Sequence, residues 1–143
     1  MDQFDEELIE LVDGGTTRYS DLAKKTGSPL STVHVRMKKL EKERVIEHYK
    51  GEIDWKKAGY PITAYIFVNI DVDLLKKIHK TQDDLLDELL EHMYIREGSL
   101  ITGEADILLK VIAKSSEHLK EILLGFIDSK HGVVKTKTSL VLD

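Results

Sequence analysis

Cysteine is absent from this 143-residue chain, which removes disulfide staples, thiolate nucleophiles and cysteine-ligated zinc or iron–sulfur chemistry together. Long apolar runs are missing as well. A stretch such as AYIFV at 64–68 falls far short of the roughly 20 residues that a membrane-spanning helix needs. Met1 leads into acidic residues rather than an apolar export signal, so the expectation is a cytoplasmic protein with no membrane partner. There is no phosphate-cradling glycine loop and no G-x-S-x-G nucleophile turn. The six histidines, at 34, 48, 79, 92, 118 and 131, form no H-x-x-x-H pair; only Glu88 and His92 share a helical spacing, a common surface arrangement. The residues therefore predict no catalytic site, no metal site and no cofactor.

What is present is unevenly distributed charge. The chain carries a net charge of −5, yet residues 18–50 hold nine Lys or Arg against four Asp or Glu, and the remainder holds twelve against twenty-two. A basic block of +5 is thus set into an acidic remainder. Attraction to a polyanion is governed by charge within about 10 Å at ordinary salt, so one local basic face can bind where the average charge would repel. With 41% apolar residues, the length suffices for one good core or two small ones.

The apolar periodicity divides the chain in two. Phe4, Leu8, Leu11 and Val12 recur at helical spacing behind a capping Asp2, and Gly14-Gly15 ends that run. Tyr19, Leu22, Ala23 and Thr26 predict a second short helix closed by Gly27. Ser28-Pro29 offers an N-cap and a first-turn proline for a third helix reaching about Lys42. The stretch VIEHYKGEID at 45–54 predicts a small hairpin, usable as a wing. Beyond Pro61 the pattern predicts a strand at 62–70 and a helix over 73–93 with a break near Thr81. Strands at 94–102 and 107–113, a helix at 115–128 and a strand at 133–142 complete it. That βαββαβ order is the ferredoxin-like pattern. The expected class is α+β, with a winged helix-turn-helix over 1–52, a linker over 53–61 and a ferredoxin-like unit over 62–143.

On the third helix, Leu30, Val33, Met37 and Leu40 fall on one side at 3.6 residues per turn, the side that must pack. Opposite lie Ser31, Val35, Lys38, Lys39 and Lys42, with Thr32 and His34 on the flanks and Arg36 bordering the packed side. Small polar residues at the start let a helix approach base edges in a major groove, and lysines further along can meet phosphates. The competing reading is a solvated basic surface helix; the glycine turn, the charge segregation and His48 and Lys50 beyond the helix favour DNA.

The chain resembles the Lrp/AsnC, or feast/famine, family of transcription regulators nearly end to end. The residues that carry the resemblance are Asp5 with Leu8, Ile9 and Leu11; SDLAKKTG at 20–27; STVHVRMKKLE at 31–41; VI at 45–46; IDWKKAGY at 53–60; TGEAD at 102–106; and HGV at 131–133. The resemblance implies a winged helix-turn-helix joined to a βαββαβ unit, often called RAM, that dimerises and senses small molecules. By it, Arg36 matches an arginine near the DNA backbone, Ser31, Thr32, His34 and Val35 can face bases, and Lys38, Lys39 and Lys42 meet phosphates. The T-G-x-x-D turn implies an effector site at Thr102, Gly103, Glu104 and Asp106, although a glycine and an aspartate there can equally serve the turn alone. Implied partners are double-stranded DNA, a second copy in a homodimer, an octamer as the larger assembly, and an amino-acid effector. The sequence departs from the family where Ser28-Pro29 opens the third helix and where Arg44 replaces a helix-ending glycine. Siroheme decarboxylase subunits look like the same family and define an enzyme alternative, but they imply a cationic tetrapyrrole pocket, and residues 53–143 hold a single arginine, Arg96. A metabolite sensor without DNA binding is the third alternative.

Overall fold

The computed structural model describes residues 1–142. The chain divides into two compact units, Met1–Glu52 and Ile53–Asp143. The first is helical: α1 spans Gln3–Asp13, α2 Tyr19–Thr26 and α3 Leu30–Lys42. Asp2 caps α1 through a capping box, accepting from the Asp5 N–H at 2.9 Å while the Asp5 carboxylate accepts from the Asp2 N–H at 3.2 Å. Gly27, at φ 70°, ends α2 in the left-handed conformation. Leu8, Leu22, Val33, Met37, Leu40 and Ile46 form the buried core of this unit, with Phe4, Ile9 and Tyr19 packed around it.

Four sequence-based expectations change here. Helix α3 begins at Leu30 with Pro29 as its N-cap and no side-chain cap, so Ser28 does not take that role; proline at φ −58°, ψ 144° holds the extended entry that capping needs. Leu30 is 54% exposed, because the first turn of α3 projects beyond the core that Val33 and Met37 fill. The hairpin expected after Ile46 is not formed: residues 47–53 carry no strand and are all exposed. That stretch lacks a two-residue Asn-Gly or Asp-Gly turn, and a lone two-stranded ribbon has too little apolar face to hold itself. Arg44 retains the left-handed conformation despite not being glycine, at φ 58°, a cost of roughly 1–2 kcal/mol. The Val45 and Ile46 N–H groups both donate to the Leu40 carbonyl, at 2.9 and 3.1 Å. The reversal at Arg44 is what returns Ile46 to the core.

The second unit is a four-stranded antiparallel sheet in the order β2-β3-β1-β4, with β1 at Ile62–Ile70, β2 at Ile95–Leu100, β3 at Ile107–Ala113 and β4 at Val133–Leu140. Ala64, Ile66 and Val68 of β1 alternate into the core, as do Ile107, Leu109 and Val111 of β3. Helices α4 (Val72–Lys77), α5 (Gln82–Leu90) and α6 (Ser116–Ile122) supply Leu75, Leu85, Leu89 and Ile122 to the same cluster. The expected break near Thr81 is a capping box with Asp84 that starts α5 as a separate helix. Met93, the last residue of the helix expected over 73–93, lies beyond the end of α5 and is 66% exposed. The helix over 115–128 is α6 followed by a π-helical turn, Leu123–Ile127.

Gly132 sits at φ 102°, and a Cβ there would come 2.5 Å from Leu75 Cδ2, a side chain buried in the core. Gly103 has a similar φ of 114° but open space around it. Gly103→Ala should therefore cost only backbone strain, roughly 1–2 kcal/mol. Gly132→Ala adds overpacking of another 1–3 kcal/mol or so. Chemical denaturation of both variants checks the order; equal midpoints would contradict it.

Candidate nucleic-acid interface

The face that α3 turns outward follows from the face it buries. With Val33, Met37 and Leu40 inside, the 3.6 periodicity sends Ser31, Thr32, His34, Val35, Lys38, Lys39 and Lys42 out, and all seven are exposed. Val35 is 66% exposed, so an aliphatic side chain stands in water among polar neighbours; such a group can meet a thymine methyl. His34 packs edge-on against Tyr19 of α2, with ring centroids 5.5 Å apart. Lys38 extends its ammonium to 5.7 Å from the Tyr19 ring centre and 3.8 Å from Glu41 Oε2, a partial neutralisation on that flank. Lys39 and Lys42 lie in the last turn, where cations also complement the helix dipole.

Arg36 faces differently from its neighbours. Its Nη1 donates to Asp2 Oδ2 at 2.6 Å and to Asp5 Oδ1 at 3.1 Å, and the guanidinium lies 5.5 Å from the Phe4 ring centre. The two carboxylates that cap α1 thus also hold α3. Asp5 is the buried charged residue of the chain among those described, and Arg36 compensates it. The Arg36 side chain remains 34% exposed. Helical spacing placed it only at the border of the packed side; the Asp2-x-x-Asp5 capping spacing was the signal for its partners. The backbone N–H of Asp5, and then the Arg36 guanidinium, hold the Asp2 carboxyl below its ordinary value, while the same aspartates push Arg36 up.

Glu41 is a second junction. It accepts the Tyr19 hydroxyl through both oxygens, at 2.8 and 3.1 Å, and the Tyr49 hydroxyl through Oε1 at 2.9 Å. Burial pushes its carboxyl up, but the two hydroxyls and the Lys38 charge outweigh that and hold it low. Burial, and then Glu41, push the Tyr19 hydroxyl up to about 12 and raise Tyr49 too. Sequence reasoning missed this junction entirely.

In the second unit the T-G-x-x-D turn is built by its own hydrogen bonds. The Asp106 carboxylate accepts from the Ile70 N–H at 2.9 Å, its own N–H donates to the Val68 carbonyl at 2.9 Å, and the Asn69 amide donates to the Glu104 carbonyl at 2.6 Å. Asp106 and Gly103 shape the turn between β2 and β3. Thr102 and Glu104 instead line an open depression of about 670 Å³ with Phe67, Asn69, Lys135 and Lys137. Arg96 stacks on Trp55 at 4.9 Å and donates to the Met93 carbonyl. Among the described residues, no group of three or more His, Asp or Glu could hold a metal ion, and no helix is long and apolar enough to cross a membrane.

A three-helix unit presenting one basic helix, followed by an antiparallel sheet backed by helices, defines a helix-turn-helix protein with an appended α+β unit. Residues 1–47 match the winged helix-turn-helix DNA-binding family and residues 63–143 the Lrp/AsnC ligand binding domain. The chain belongs to the Lrp/AsnC family. It is 31% identical over 142 residues to an HTH-type transcriptional regulator of Pyrococcus furiosus, covering 99% of this chain and 91% of that one. Among solved structures, AsnC of E. coli superposes with a TM-score of 0.80 at 25% identity, over 100% of this chain and 93% of that chain. The feast or famine regulatory protein of M. tuberculosis, complexed with L-methionine, superposes with a TM-score of 0.83 at 25% identity, over 99% and 92%.

Asp2 supplies a pH test. A carboxyl held below its ordinary value of 3.8 stabilises the fold above that pH, and the contribution disappears as pH falls through the folded value. Melting of the helical unit, followed by circular dichroism from about pH 5 down to about pH 2, should lose stability more steeply in the parent than in Asp2→Asn. Parallel curves would contradict the capping and ion-pair role.

Proposed function

We propose that this chain is a transcription regulator that binds double-stranded DNA in a sequence-specific way through α3. The observation that carries the reading is the outward face of α3: exposed Ser31, Thr32 and Val35 near its start, exposed Lys38, Lys39 and Lys42 towards its end. Short side chains allow close approach to base edges, whereas lysines neutralise phosphates without reading sequence. Arg36 serves first to hold α1 on α3, and its exposed third leaves guanidinium donors for a phosphate.

The second unit pairs copies and takes the effector. Helices cover one side of its sheet; the other side presents half-buried Tyr65, Phe67 and Leu108 in adjacent strands, apolar surface that a second copy can cover. A homodimer sets two α3 helices on a pseudo-palindrome with half-sites about one helical turn, or a multiple of it, apart; an octamer is the larger assembly. The depression beside Thr102 and Glu104 offers both charge signs, as an amino-acid zwitterion requires. Such an effector can alter DNA affinity only by binding two assemblies unequally. No observation favours the tetrapyrrole enzyme: the described lining of that depression includes no arginine or histidine.

Fluorescence anisotropy on DNA from upstream of the chain's own gene, against a scrambled duplex over a salt series, tests the reading. Lys38→Ala with Lys39→Ala should weaken both duplexes and reduce the salt slope by about two contacts. Changes at Ser31, Thr32 or Val35 should narrow the preference for the upstream DNA at an unchanged slope. Equal losses on both duplexes from both sets would contradict this division of roles.

A further inference from the structure

The segment after α3 has no strand to hold it, yet it is held. Arg44 reverses the chain at φ 58°, Ile46 drops into the core, and the exposed residues that follow return along α3 until the Tyr49 hydroxyl donates to Glu41 at 2.9 Å. Glu41 is already fixed, because Tyr19 of α2 donates to both of its oxygens. A single carboxylate therefore joins α2, α3 and the segment 46–50. His48 and Lys50, on either side of Tyr49, are exposed. Lys50 is an exposed cation one residue beyond the tyrosine that touches α3.

We propose that Glu41 and Tyr49 are positioning residues for DNA binding: their hydrogen bond takes the place of a hairpin wing and holds Lys50 where it meets a phosphate beside α3. The inference rests on the DNA-binding reading above. Glu41 itself does not touch DNA, since an anion at the groove would be repelled; it acts by fixing where a neighbouring cation stands. Glu41 is an ionised acceptor at neutral pH, as an ordinary glutamate is, and against the push of burial its two tyrosine donors hold its carboxyl lower still. A carboxylate among lysines on a DNA-facing helix is otherwise a net electrostatic loss, and the two tyrosine hydroxyls give it a use.

The test is a double-variant cycle read by anisotropy on the scrambled duplex over a salt series, since a phosphate contact is independent of sequence. Lys50→Ala should reduce the salt slope by about one. Tyr49→Phe keeps the ring and removes the hydroxyl; it should weaken binding roughly threefold to tenfold, the range one hydrogen bond can carry, with a lower slope and an unchanged melting temperature. In the Lys50→Ala background Tyr49→Phe should cost nothing more. Glu41→Gln, which retains one acceptor oxygen, should fall between parent and Tyr49→Phe. Full binding by Tyr49→Phe, or additive losses in the double variant, would overturn the inference while leaving DNA binding intact. If the parent binds neither duplex at low salt, the DNA-binding reading fails, and this inference with it.

Discussion

Everything proposed for the first unit depends on the burial of one stripe of α3. Val33, Met37 and Leu40 are removed from water against Leu8 of α1 and Leu22 of α2, and each is worth roughly 1.5–3 kcal/mol when fully buried. Once that stripe is inside, helical geometry leaves Lys38, Lys39 and Lys42 no orientation but outward. The Asp2 and Asp5 carboxylates then gate the angle by gripping Arg36. A slip of one residue along α3 would bury a lysine and break two ion pairs together, so the outward face is well defined without any DNA present.

Charge makes that face selective. The acidic remainder of the chain includes α1 and the 83–91 stretch of α5 and its end, and at physiological salt each acts only over about 8 Å. On the proposed reading, attraction to DNA comes from surface within reach of the lysines of α3 and of Lys50. In the second unit the same economy holds in apolar terms: one side of the sheet is filled by α4, α5 and α6, and the T-G-x-x-D turn is tied to the end of β1 by Asp106 and Asn69. The turn is consequently braced from β1 by side-chain hydrogen bonds.

The sequence made the frame legible wherever period and punctuation agreed. The β-branched and aromatic residues of ITAYIFVNI marked β1, the Thr81 to Asp84 capping box separated α4 from α5, and the 3.6-residue stripe of α3 identified its buried face. Signals failed where tertiary packing overrode local preference. Nothing in the propensity of Arg44 announces a left-handed residue; the burial of Ile46 imposes it. Leu30 looks like a core residue by angle alone, but at the start of α3 it stays 54% exposed. Arg36 was ambiguous because a long side chain on the border of two faces can turn either way, and the choice was made by Asp2 and Asp5, more than thirty residues distant. The Glu41 junction could not be read at all, since Tyr19 and Tyr49 reach it from two segments at no helical spacing.

The central claim is that DNA contact is restricted to the outward face of α3 and the segment just beyond it. Lysine acetylation footprinting by mass spectrometry, with and without bound upstream DNA, addresses it residue by residue. Protection of Lys38, Lys39, Lys42 and Lys50, with Lys76, Lys77 and Lys120 of the second unit reacting at the free rate, is the predicted result. Protection confined to the second unit, with the α3 lysines unchanged on DNA binding, would contradict the account.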